Sequence, residues 1–193
     1  MKPELTPEES LGIVSKAILT ARIKNKETGS IFIFWGLIMM LSSLGQYILL
    51  QTKLQEFNYL PYYSFPLGAI LTWLFYSKKF KIRDQNQVLA SSIPLIWLVI
   101  GLNFMVLSIG YNLFLGQLLT PVVLLFLGIG TLLTGHIMKS RIILIGGLLC
   151  NLIAFICFQI DWEYHGLVLC GASLVCFVLP GFYIKLISRK QHA

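Results

Sequence analysis

The densest run of reactive side chains is Asp161-Trp162-Glu163-Tyr164-His165, with two carboxylates and an imidazole in one short stretch. Such groups converging at one interface suit cation binding or acid–base work on a lipid head group. The same stretch also reads as a solvated turn with aromatic residues at a membrane–water boundary.

A second set comprises the neutral amides Gln46, Asn103, Asn151 and Gln159, all inside long apolar runs. Gln46 and Gln159 lie toward the ends of their runs, whereas Asn103 and Asn151 are deeper. A deep carboxamide is expected to hydrogen-bond across helices, worth on the order of 0.6 kcal/mol, or to line a path for a polar solute. No Asp, Glu, Lys or Arg interrupts the runs. A proton relay needs titratable groups at depth and a voltage sensor needs arginines in register, so both functions lack their machinery. His136 precedes Lys139 closely enough to sit at the interface and snorkel.

The cysteines form a third set. Counted from Arg141 and Lys185, Cys150 matches Cys176 in depth and Cys157 matches Cys170. Heptad spacing keeps Cys150 and Cys157 on one face, but Cys170 and Cys176 diverge by about 120° on an α-helix. Both pairs cannot meet at once. No CxxC is present and no His lies close by, which argues against metal and favours small buried hydrophobes. No nucleophile or ligand set for an intramembrane protease or zinc hydrolase is visible, and no cofactor motif is present.

These residues sit in a chain of 193 residues that is 56% hydrophobic and only 12% charged. A soluble domain carries about 25% charged residues. The composition excludes disorder and predicts an all-α polytopic transmembrane bundle. Apolar runs near 31–50, 60–77, 88–110, 118–138, 142–160 and 166–184 predict six spans, since about 20 residues cross a bilayer. Their continuity excludes the alternation of a barrel. With six spans, fourteen of the fifteen basic residues fall on one side, leaving Lys53 alone on the other. The positive-inside bias then predicts both termini on the cytoplasmic side. The first apolar run is span-length and reads as a retained insertion signal, not a cleaved leader.

Residues 1–30 read as an amphipathic cytoplasmic helix. Thr6, Pro7 and Glu9 form a start signal, and Leu11, Val14, Ile18 and Ala21 recur at helical spacing. Lys16, Arg22, Lys24 and Lys26 supply positive charge, and Gly29 is placed where the helix ends. Such a helix lies on anionic lipid or docks a cytosolic partner. Gly128, Gly130 and Gly135 in the fourth run, and Gly146 and Gly147 in the fifth, mark close helix packing. Because they lie inside hydrocarbon, they are not a nucleotide-binding loop. Pro180-Gly181 is expected to break the sixth span, ahead of a basic tail over 185–193. Gly68, Gly128 and Gly171, each followed by a run ending in Lys, hint at three successive hairpins.

In order and spacing, Glu9-Ser10-Leu11, Phe34-Trp35-Gly36, Tyr47, Leu127-Gly128-Ile129-Gly130-Thr131, Gly135, Ile145-Gly146-Gly147 and Pro180-Gly181 carry a resemblance over nearly the whole chain. The chain resembles small six-helix integral membrane proteins of Bacteroidetes-type bacteria. The resemblance brings no assigned activity and no functional residues. It implies a membrane component encoded beside a small winged-helix regulator. The expected function is therefore a non-enzymatic sensor or scaffold with a cytosolic partner, contacting anionic lipid but no nucleic acid directly. The alternative is an oligomeric small-solute or lipid transporter whose path is lined by Asn103, Asn151 and Gln46.

Overall fold

The computed structural model describes residues 7–80, 88–109 and 116–190, with side chains at 29–74, 93–107 and 116–187. Every regular element among them is helical. They are α1 (Pro7–Leu50), α2 (Ser64–Phe80), α3 (Val88–Ile109), α4 (Leu119–Ile137), α5 (Arg141–Cys157), α6 (His165–Ser173) and α7 (Leu179–Lys190). A π-helical stretch, Leu174–Val178, joins α6 to α7 without a break. Three helical segments are long and apolar enough to cross a membrane: Gly29–Leu50, Gly116–Ile137 and Trp162–Ile187. Ile93–Leu107 and Arg141–Cys157 are shorter apolar helices.

The core lies where α4 and α5 pack against each other and against the π stretch, with α1 running along α6 and α7. Helix α3 leans on α4, and α2 is held against α1. Leu124, Ile143, Cys150, Ala154, Cys157 and Cys176 are fully buried at this centre. Missing side chains make the closest approaches possible, as expected where little but packing draws helices together. A Cβ on Gly135 would fall 2.7 Å from the backbone nitrogen of Leu144, and one on Gly147 would fall 2.7 Å from that of Leu132. Gly166 lies against the Ser43 carbonyl and Gly36 against Phe177 and Val178, so α1 is seated on the α6–α7 rod at both levels.

Two sequence expectations about helix ends are corrected. Helix α1 does not stop at Gly29 but runs through it, 44 residues in all from Pro7 to Leu50. Gly29 instead faces Gly181 of α7, each within 2.8 Å of where the other's carbonyl would meet a Cβ. Glycine's helix penalty of about 1 kcal/mol is outweighed here by that close approach. Nor does Pro180-Gly181 break the last rod. The Leu179 N–H bonds to the Leu174 carbonyl in π register, and this wider turn accommodates the prolyl ring.

The turn between α4 and α5 is closed by backbone bonds alone. Lys139 N–H donates to His136 O at 3.1 Å and Ser140 N–H to Gly135 O at 2.9 Å, the double bond pattern of a Schellman cap. Lys139 occupies the left-handed position at φ 52, where glycine is usual.

Candidate functional site

The polar side chains of the core mostly bond to their own helices. Thr131 donates to Leu127 O at 2.7 Å and Ser173 to Leu169 O at 2.7 Å. Asn151 donates to Gly147 O at 3.1 Å, and Asn103 to Val99 O at 2.8 Å. The expected cross-helix bonds of Asn103 and Asn151 are thus replaced by bonds to the carbonyl one turn back. The cause is local: a short polar side chain reaches the i−4 carbonyl of its own helix without any partner helix. Asn151 still serves the interface sterically, because its carboxamide lies flat over Gly128, within 2.7 Å of where a Cβ would stand. Asn103 is exposed on α3. The two asparagines therefore sit in different surroundings.

Gln46 makes the cross-element contact that sequence could not assign. Its Oε1 accepts a 2.7 Å bond from the Tyr62 hydroxyl, in the short turn before α2. One turn away, Ser42 and Ser64 share a 2.7 Å hydroxyl contact. Together these bonds tie the end of α1 to the start of α2. The five packing glycines all lie at contacts: Gly128 under Asn151, Gly130 against Ile100, Gly135 against Leu144, Gly146 against Cys176, and Gly147 against Leu132.

A polar bond from an indole does cross the core. Trp97 of α3 donates its indole N–H to Thr134 Oγ1 at 3.1 Å, and Thr134 donates in turn to Gly130 O at 2.7 Å. The Trp97 ring meets Phe32 and Phe177 with centroids 6.1 and 6.2 Å away, and Phe32 stacks on Phe177 at 5.7 Å. This aromatic trio joins α1, α3 and the π stretch. The residues were unremarkable in sequence, since aromatic positions in separate apolar runs give no sign of meeting.

Of the two cysteine pairs matched in depth, the structure makes Cys150 and Cys176 buried neighbours. Cys150 also donates to Leu124 O at 3.4 Å. All four cysteines are free thiols.

The Asp161–His165 run does not form a convergent site. Asp161 and Glu163 are exposed, whereas His165 is buried, with its Nε2 3.0 Å from Ile160 O. The imidazole opens α6 and is held at the Ile160 carbonyl, while both carboxylates are exposed. Its Nδ1 is buried without a hydrogen-bond partner. Among the described residues, no group of three His, Cys, Asp or Glu side chains stands ready for a metal. His136 is exposed in the last turn of α4. Lys16, Arg22, Lys24 and Lys26 fall on the first half of α1, and their side chains lie outside the described set. What the core arrangement does chemically is hold helices together: its hydroxyl, amide and indole groups are bonded to carbonyls or to one another. The chain matches no protein-family model, no curated protein and no solved structure.

Proposed function

We propose that the chain is a non-enzymatic integral membrane scaffold or sensor with six spans and both termini in a bacterial cytoplasm. In this reading it couples the bundle to a cytosolic partner, such as the winged-helix regulator implied by the family resemblance. The carrying observation is the unbroken α1, Pro7–Leu50. Its 44 residues extend about 66 Å at 1.5 Å per residue, roughly twice a hydrocarbon core of about 30 Å. The basic segment is thus helically continuous with the part of α1 seated on α6 and α7. A change in that seat reaches residues 7–28 through backbone hydrogen bonds, with no flexible joint at Gly29. The self-bonded asparagines also favour a packed scaffold over a solute path.

Pull-down of tagged full-length protein from native membranes, compared with a chain lacking residues 1–28, tests the partner role. Loss of specific partners in the truncated chain supports it, and an identical partner set overturns it. Reporter fusions after Thr52, Lys79 and Lys190 test the topology. The expected result is a non-cytoplasmic signal at the first position and cytoplasmic signals at the other two.

A further inference from the structure

An open groove of about 400 Å³ runs between α5 and α7, lined by Ile145, Gly146 and Leu149 on one side and Leu179, Pro180 and Tyr183 on the other. It exists because Gly146 contributes no side chain and stands against the Cys176 carbonyl, 3.1 Å from where a Cβ would be. The walls are hydrocarbon except at one end, where Tyr183 brings a phenol.

The charged side chains described nearest that end are cationic. Arg141 is exposed one turn before Ile145, Lys139 is exposed in the preceding turn, and Lys185 follows Tyr183 on α7. Among the residues whose side chains are described, the carboxylates Glu56, Asp161 and Glu163 stand in the turns at the opposite end of the helices. An elongated apolar slot with a cationic mouth is complementary to one kind of membrane component. We propose that this groove binds an anionic phospholipid, one acyl chain lying along Ile145, Leu149 and Leu179 with the phosphate at Arg141 and Tyr183. The hydrocarbon walls account for the chain, and the arginine with its neighbouring lysines selects the charge of the head group. The inference rests on the groove and its charges and not on the proposed cytosolic partner, so either can fail alone.

Native mass spectrometry of the full chain in neutral detergent tests it, with phosphatidylglycerol and phosphatidylcholine of identical acyl chains as probes. The expected result is one retained phosphatidylglycerol, preferred over phosphatidylcholine. Arg141→Gln, at an exposed site where folding is not at stake, is expected to reduce that preference about fivefold, the effect of one cation near a membrane surface. Ile145→Trp fills the slot from an exposed position and is expected to lose both lipids. Equal retention of the two lipids by the unmodified chain overturns the proposal, as does an unchanged preference in Arg141→Gln. Displacement by inorganic phosphate overturns the acyl-chain part, because a free anion cannot compete for a hydrocarbon slot. Self-association that leaves the groove lipid-free overturns it in favour of a second copy.

Discussion

Gly29 of α1 and Gly181 of α7 pack backbone to backbone, so that a methyl group on either would come within 2.8 Å of the other's carbonyl oxygen. The obstacle is main chain on both sides, which cannot rotate away as a side chain can. Gly29→Ala and Gly181→Ala are each expected to cost about 1–3 kcal/mol through overpacking, read by unfolding in mixed micelles. Both open the same seam, so the double variant is expected to cost less than the sum of the singles. Wild-type stability in both singles would show that α1 is not seated there.

The same substitution is expected to act in opposite directions at two other glycines. A Cβ on Gly147 meets Leu132 N at 2.7 Å and Gly128 O at 3.0 Å, whereas nothing lies within 4 Å of one on Gly101. Gly147→Ala is expected to destabilise by about 1–3 kcal/mol. Gly101→Ala is expected to stabilise by up to about 1 kcal/mol, alanine's helix advantage with no steric cost. Paired unfolding curves decide it, and a common sign would refute the assigned packing.

Lys139 closes the α4–α5 turn at φ 52, a conformation that costs an L-residue about 1–2 kcal/mol. Glycine avoids that strain at an entropic cost of about 0.5–1 kcal/mol. Lys139→Gly is therefore expected to stabilise by about 0.5–1 kcal/mol, with Lys139→Ala no better than wild type. Loss of stability in the glycine variant would contradict the left-handed cap.

Thr134 accepts the indole N–H of Trp97 while donating to Gly130 O. Thr134→Val keeps the shape and leaves the indole donor unpaired, and Trp97→Phe removes the donor. A double-mutant cycle is expected to give a coupling of about 0.6 kcal/mol, the average for polar contacts between membrane helices. Zero coupling, measured by the same unfolding assay, would mean that α3 is held by its rings alone.

The helical class, and helices long and apolar enough to cross a membrane, could be read from sequence because long apolar runs admit few structures that satisfy every backbone group. Leu50, Ile137 and His165 bound elements within a residue or so of the expected runs. Clustered small residues in apolar helices signal close approach, and Gly128, Gly135 and Gly147 do lie where helices meet. Helix continuity was not legible. Gly29 and Pro180 carry local breaking signals, and only their partners across the seam, Gly181 and the Leu174 carbonyl, reverse them. The asparagine bonds were misjudged because spacing gives the depth of a side chain but not the competition between its own i−4 carbonyl and a neighbouring helix. Depth matching alone could not choose between the cysteine pairs; helix phase limited them to one, and the fold brings Cys150 to Cys176.

The π stretch at Leu174–Val178 also makes the last rod depend on residue count as much as on residue chemistry. One added residue in a turn indexes everything after it by about 100° relative to a plain α-helix. Gly181 reaches Gly29, and Tyr183 the groove, only in that frame. Leu174 and Val175 are exposed, so exchanging either for another apolar residue removes nothing from the interior. Deleting either one lets the wide turn relax to a plain α turn, which leaves Gly181 and Tyr183 in the same frame, whereas one further residue would swing α7 out of phase with α1 and α5 together. This segment is thus permissive to substitution and to the loss of one residue, and intolerant of a gain.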